Sequence, residues 1–384
     1  MARKRKIVFV SGTRADYGKI KPLLKSIYQD KNFEVQIIVT GMHLLSKYGT
    51  TLHEIEKDKL GSIVTLQNQE HEQPMEITLS RTINEISRFV EASHIDLLVV
   101  HGDRIEALAG AIVGAIRNVP VAHIEGGEVS GTIDGLIRHS VSKLSHIHFV
   151  ANEEARKRIL QLGESKKMVH VIGSPDVDIM LNSNLPELAD IQKRYSIPFS
   201  KYGILIFHPV TTEIHKLSSQ IKEIVDAIEE SNKEFVIIKP NNDQGSEIIQ
   251  NELLKLSDAK RYIHIPSMRF EYFLGLLKTA DFIIGNSSAG VREAPYFGIP
   301  AINIGSRQAS RVSNSLIKNV DPDKASILQA ITESYSLERK VHQQFGDGNA
   351  ASLFASVINQ ENFWPVDTSK SFVDLELDFR KSEI

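Results

Sequence analysis

Apolar residues fall along this chain in short β-branched runs, separated by longer stretches with helical spacing. Ile7-Val8-Phe9-Val10 has the length and uniform polarity of a buried strand. Behind it Ile20, Leu23, Leu24 and Ile27 stand at i, i+3, i+4 and i+7, one apolar face of a helix. Pro22 is expected in the first turn of that helix, where a missing N–H is harmless. Strand-like runs recur at Val35–Val39, Leu97–Val100, Val119–Ile124, Ile147–Val150 and Val169–Ile172. Helical patterns at Ile77–Val90, Ile105–Arg117 and Ala155–Leu162 lie between them. Strands apolar on both faces need cover on both faces, so the pattern predicts a parallel sheet between two layers of helices.

After a polar, proline-bearing segment (182–200) the alternation restarts at Ile204–Phe207. It runs on through Phe235–Ile238, Tyr262–Ile265, Phe282–Ile284 and Ala301–Ile304 to a last helical pattern at Ala351–Ile358. The expected architecture is α/β: two Rossmann-like, doubly wound domains joined near residues 175–200. We assign 1–180 to the first domain, 181–365 to the second and 366–384 to a tail without an assigned role. Doubly wound sheets bind ligands beyond the carboxyl ends of their strands, so two facing each other predict one interdomain cleft.

Composition narrows the chemistry. The 384 residues exceed the usual size of one domain, and a net charge of −3 excludes a protein built around a basic nucleic-acid face. The chain has no cysteine, which removes disulfides, thiolate metal sites and cysteine nucleophiles. Arg3-Lys4-Arg5-Lys6 is followed by too short an apolar run for a signal peptide, and 107–116 is too short to span a bilayer. The expected location is the cytoplasm.

Candidate chemistry sits where strands end. Ser11-Gly12-Thr13-Arg14-Ala15-Asp16-Tyr17-Gly18 turns from the first strand into the first helix, offering small residues, backbone N–H groups and a cation to an anion. As an ordinary turn it would need only Asp16 as a cap. His101-Gly102-Asp103-Arg104 and His123-Ile124-Glu125-Gly126-Gly127-Glu128 each put a carboxylate at the end of a strand, and the two strands are expected to be parallel neighbours. Either acid alone reads as a helix cap; both on one sheet edge favour proton chemistry in a cleft. Asp134 and Arg138, four apart after Ser130-Gly131-Thr132, suit an ion pair on one helix face and suggest a third positioned carboxylate. His123-x-Glu125 lacks the cysteine pair of a zinc deaminase, and His146 and His148 lack a third ligand, so no metal is expected. His43 and His208 follow strands in the two halves. In the second half, Gly285-Asn286-Ser287-Ser288 joins a strand to an expected helix and offers hydroxyls and N–H groups to a diphosphate, with Glu293 downstream and Gly305-Ser306-Arg307-Gln308 beside it.

These motifs, with His208-Pro209-Val210-Thr211-Thr212-Glu213, resemble the hydrolysing UDP-N-acetylglucosamine 2-epimerases of bacterial sialic acid synthesis, in order from about residue 5 to 360. The resemblance implies a GT-B fold and a reaction. UDP-N-acetylglucosamine would lose UDP and its C2 proton by anti elimination, and the resulting 2-acetamidoglucal would take up water to give N-acetylmannosamine. By resemblance Asp103, Glu125, Asp134 and His208 map onto catalytic positions. Arg14, Arg104, Asn241, Ser287, Ser288, Glu293 and Arg307 map onto nucleotide contacts, and His43 and Arg138 onto the sugar side. Asp16 and Lys19 join the substrate-binding set. The resemblance calls for no cofactor and no metal, and implies a homodimer or homotetramer, for which Ile77–Val90 is either an interface or a core helix. Non-hydrolysing relatives typically read His-Val-Glu-Ala-Gly-Leu-Arg at 123–129; Gly126, Glu128 and Val129 depart from that and favour the hydrolysing branch. A sister branch acting on UDP-2,4-diacetamido-2,4,6-trideoxy-hexose in legionaminic acid synthesis carries similar motifs. A GT-B glycosyltransferase would share the cleft but not need three carboxylates, and a non-catalytic UDP-sugar sensor has no accompanying DNA-reading module.

Overall fold

The structure is a computed structural model that describes residues 3–46, 50–69, 73–130, 133–182, 184–240, 243–308 and 314–375. In the first domain β1 (Arg5–Ser11), β2 (Phe33–Val39), β3 (Ser62–Thr65), β4 (Leu97–His101), β5 (Val121–Ile124), β6 (Ile147–Val150) and β7 (Val169–Val171) form one parallel sheet in the order 3-2-1-4-5-6-7. The helices between them are α1 (Arg14–Tyr28), α2 (Leu52–Asp58), α3 (Met75–Glu91), α4 (Ile105–Ile116), α5 (Ile133–Leu144) and α6 (Glu153–Gln161). The chain crosses to the second domain through α7 (Pro175–Asn182) and α8 (Leu188–Tyr195). There β8 (Gly203–Ile206), β9 (Phe235–Ile238), β10 (Tyr262–Ile265), β11 (Phe282–Gly285), β12 (Ala301–Ile304) and β13 (Ile317–Val320) pair in the order 10-9-8-11-12-13, again all parallel. Helices α9 (Leu217–Glu230), α10 (Ser246–Leu253), α11 (Phe270–Thr279) and α12 (Lys324–Ser334) surround that sheet, and α13 (Ala350–Ile358) follows.

Each sheet is packed on both faces, as continuous apolar strands require. Ile7 and Phe9 point into the layer under α1, and Val8 and Val10 into the layer under α3 and α4. Three features differ from the sequence expectation. Helix α13 is expected with the second domain, yet Phe354 and Ile358 are fully buried in the first domain's core, where Phe354 meets Phe9 and Phe149 edge-on. An amphipathic stripe does not say which sheet it will cover, and here it lies beside α1. Pro22 stands well inside α1, not in its first turn, because the helix begins at Arg14 with Thr13 Oγ1 accepting from the Asp16 amide (3.1 Å). The stretch after Ser287 forms two short 3₁₀ turns (Ser288–Gly290 and Ala294–Phe297) instead of an α-helix. No helix among the described residues is long and apolar enough to cross a membrane.

Candidate active site

Parallel register decides which residues share an edge. Because His101 pairs with Ile124 across β4 and β5, Asp103 and Glu125 leave the sheet side by side. Because Gly285 pairs with Ile206 across β11 and β8, Ser287 and His208 do the same in the second domain. Both edges face a single cleft of about 1160 Å³. Asp103, Arg104, Glu125, Asp134, Arg138, Arg14, Asp16 and Lys19 line it from one side, and His208, Ser287, Ser288, Glu293 and Arg307 from the other.

Backbone geometry holds these residues in place. Gly102 has φ +72°, open to glycine at no steric cost, and a Cβ there would meet nothing within 4 Å, so its role is the turn itself. Glu125 adopts φ +63° despite its side chain, a strained conformation of the kind concentrated at functional sites. In the second domain Asn286 donates from Nδ2 to the His208 carbonyl (2.8 Å) and accepts the His208 amide at Oδ1 (2.7 Å). Its own carbonyl accepts from Arg307 Nη1 (3.2 Å), so one asparagine ties three cleft loops together.

A buried chain of charges runs between the domains. His101 Nδ1 lies 2.6 Å from Asp16 Oδ1 and its Nε2 lies 3.1 Å from Glu125 Oε2. Burial alone would discharge this imidazole, but the bonds to Asp16 and Glu125 and their negative charge outweigh it and lift the pKa to about 9. Arg292, from the second domain, donates to Glu125 Oε1 (2.5 Å), also bonds Glu128, and lies 3.5 Å from Asp176. Lys19 Nζ bridges Asp176 and Glu293, each at 2.9 Å. Burial would protonate Glu125, yet Arg292, His101 and Lys19 hold it well below the usual carboxylate range. Asp134 is different: burial and the neighbouring charge of Asp103 raise its pKa, and Arg307, 2.8 Å away, only partly offsets them. One cleft therefore holds a carboxylate kept well below its usual range and one pushed towards proton uptake, the pairing that separates acid–base roles.

The structure corrects several expectations. Asp134 and Arg138 do not form a pair with each other: Arg138 bonds Asp103, and Asp134 bonds Arg307 across the cleft. His43 does not reach the cleft. The 3₁₀ turn at Gly41–Leu44 leaves it fully buried between Ser11 Oγ (3.0 Å) and Thr51 Oγ1 (2.6 Å), and burial draws its pKa down to about 4. Glu293 binds Lys19 in this arrangement. Asn241 lies outside the described residues. Four contributors carry no assigned role from sequence: His101, Asp176, Arg292 and Ser174, whose hydroxyl bonds both Glu125 and Arg292; their contacts join positions far apart in the chain. No group of three or more His, Cys, Asp or Glu that could hold a metal ion occurs among the described residues.

Two doubly wound parallel domains facing across one cleft define the GT-B architecture. A model of the UDP-N-acetylglucosamine 2-epimerase family matches residues 25–359. A protein of Neisseria meningitidis serogroup B named UDP-N-acetylglucosamine 2-epimerase is 46% identical over 377 residues, 97% of this chain and 100% of that relative. A Legionella pneumophila protein named UDP-N,N'-diacetylbacillosamine 2-epimerase (hydrolyzing) is 34% identical over 90% of this chain and 93% of its own length. The crystal structure of Methanocaldococcus jannaschii UDP-GlcNAc 2-epimerase in complex with UDP-GlcNAc and UDP has the same fold, with a TM-score of 0.78 at 20% identity over 92% of this chain and 99% of that one. The chain belongs to the UDP-N-acetylglucosamine 2-epimerase family.

Proposed function

We propose that the protein is a hydrolysing 2-epimerase that converts UDP-N-acetylglucosamine and water into N-acetylmannosamine and UDP, for sialic acid synthesis. The observation that carries this reading is the meeting of three first-domain carboxylates with the hydroxyl- and arginine-bearing loops of the second domain on one cleft. The diphosphate binds at the Ser287–Ser288 turn and Arg307, with Arg14 and Arg104 approaching from the other side. Cations placed there stabilise the departing phosphate oxygen without a strong acid. As the C1–O bond breaks, positive charge grows on the ring, and the fixed charge of Glu125 stabilises it. Asp134, whose pKa is raised beside Asp103, accepts the C2 proton, and the C–H electron pair becomes the C1–C2 double bond of 2-acetamidoglucal. Water then adds its oxygen to C1 and passes a proton to a carboxylate of the cleft, while a protonated acid on the opposite face gives its proton to C2, and the acid and base groups are reset by exchange with solvent.

The hydrolysing branch is supported by Gly126, Glu128 and Val129. Glu128 occupies Arg292 at a position where non-hydrolysing relatives typically carry leucine, and Val129 stands where they carry arginine. The name of the Legionella relative points the same way, and it also favours a second reading, a UDP-2,4-diacetamido-2,4,6-trideoxy-hexose as substrate. Incubation with each nucleotide sugar in deuterated water, followed by NMR, separates these. The expected products from UDP-N-acetylglucosamine are free UDP and N-acetylmannosamine carrying deuterium at C2. Intact UDP-N-acetylmannosamine would mean the non-hydrolysing reaction, and turnover of the diacetamido sugar alone would favour the second reading.

A further inference from the structure

The segment that follows α13 has no role assigned from the sequence, and it runs back over the first domain on the side away from the cleft. Its Lys370 ammonium lies at the end of α5. Nζ donates to the carbonyls of Lys143 (2.6 Å), Ser145 (2.5 Å) and, at longer range, Ser142 (3.3 Å), and it pairs with Glu164 Oε2 at 2.7 Å. The last carbonyls of a helix have no partner within the helix, and a cation there also complements the helix dipole. The seat is specific on either side of the lysine. Phe372 covers Gly163, where an added Cβ would come within 2.4 Å of the ring, and Lys143 Nζ stands 4.7 Å from the ring centroid. The Val373 amide donates to the Gly163 carbonyl at 2.9 Å.

What lies at the other end of α5 gives this clamp its meaning. The helix is 12 residues long, about 18 Å as a hydrogen-bonded rod, and its first turns carry Asp134 and Arg138. Arg138 bonds Asp103, and Asp134 bonds Arg307 of the second domain. A second path starts from Ser142, one of the residues Lys370 touches. Burial draws the His123 pKa down to about 3, so its ring is neutral. His123 Nε2 lies 2.8 Å from the Gly102 carbonyl, which can only accept, so that nitrogen carries the proton. Nδ1 therefore accepts from the Ser142 hydroxyl at 3.0 Å. Ser142 thus ties the clamped end of α5 to the turn that presents Asp103.

We propose that Lys370 is a positioning residue: by holding the last carbonyls of α5 it sets the lie of the helix that presents Asp134 and Arg138 to the cleft, and through Ser142 and His123 it steadies the Gly102–Asp103 turn. The proposal rests on the reading of these acids as catalytic. It makes the segment around Lys370 part of the working site although no atom of it lines the cleft. The Ser287–Ser288 turn and its Asn286 anchor belong to the second domain, so loss of the clamp acts far more on turnover than on nucleotide affinity, which it reaches only through Arg104 and the Asp134–Arg307 pair.

The test uses the full chain with Lys370→Met and Lys370→Arg. Displacement of reacting groups by a fraction of an ångström costs well over a factor of two, so Lys370→Met is expected to lower kcat about tenfold. The KM for the nucleotide sugar and the Kd for UDP should stay within about twofold of wild type under the same reasoning. Hydrogen exchange should quicken at the amides of α5, and Lys370→Arg, which keeps the donors and the charge, should recover most of kcat. A Lys370→Met protein with wild-type kcat overturns the proposal. So does one whose kcat and UDP affinity fall together, because that marks general loss of structure. If wild-type protein makes no N-acetylmannosamine, the functional reading fails separately, and unchanged α5 exchange in Lys370→Met would then remove the clamp as well.

Discussion

Glu125→Gln is expected to lower turnover by about two to three orders of magnitude while UDP binds as before, the range typical for loss of a charged group that acts in the transition state. The substitution keeps shape and volume, and the amide oxygen of the new side chain can still accept from Arg292. What disappears is a charge that Arg292, His101 and Lys19 now hold in place at some desolvation cost. A charge so thoroughly locked is poorly suited to passing protons back and forth, and well suited to facing a developing positive charge. UDP affinity should survive because the diphosphate loops are anchored by Asn286 in the other domain. The measurement is kcat for release of N-acetylmannosamine beside UDP titration calorimetry. A Glu125→Gln enzyme within tenfold of wild type would remove this residue from the mechanism.

Arg292→Met should be the most destabilising single change in the interdomain region, by about 3–5 kcal/mol, because removing one member of a buried charge cluster leaves the others uncompensated. Arg292 is 2% exposed and touches Glu125, Glu128 and Asp176, which would become three acids facing one another. Thermal unfolding should show a midpoint lower by roughly 10 °C. The deficit has a predictable pH dependence. Without Arg292, Glu125 loses its largest compensating charge, so its folded pKa rises relative to wild type although His101 and Lys19 still act on it. Wild type therefore loses more stability than the variant as pH falls through the acid range, and the variant gains ground on it. A midpoint within about 2 °C of wild type at neutral pH would show that the cluster is relaxed by water or motion and carries little stability.

The strands are legible where an apolar run is unbroken by charge. Ile7–Val10 and Tyr262–Ile265 are short apolar runs with no charged interruption, and both are strands with neighbours on each side or on one. Strands β3 and β13 carry no such run, since each offers only two apolar residues among four. Ser62-Ile63-Val64-Thr65 and Ile317-Lys318-Asn319-Val320 are only partly buried, so no apolar run announces them. The acids at 103, 125 and 134 were legible because a parallel sheet sends its strand ends to one side, and the loop sequences after β4 and β5 could be assigned to that side without coordinates. Partners were not legible. The i, i+4 spacing of Asp134 and Arg138 is a local rule, and it lost to Arg307 and Asp103, which lie closer to the buried oxygen and nitrogen atoms in three dimensions. His43 has the right address after β2, but a 3₁₀ turn rotates it inward to two hydroxyls. His101 and Arg292 carried no signal of their own, since a histidine at a strand end and an arginine in a turn acquire meaning only from the carboxylate placed between them.

The slow Glu125→Gln variant also offers the most direct look at how the two halves divide the substrate, through a crystal structure grown with UDP-N-acetylglucosamine. The account predicts the diphosphate against the Ser287–Ser288 turn and Arg307, with C2 of the sugar turned towards Asp134 and Asp103. A diphosphate seated instead on the Gly12–Gly18 turn of the first domain, with the sugar pointing away from Asp103 and Asp134, would contradict it.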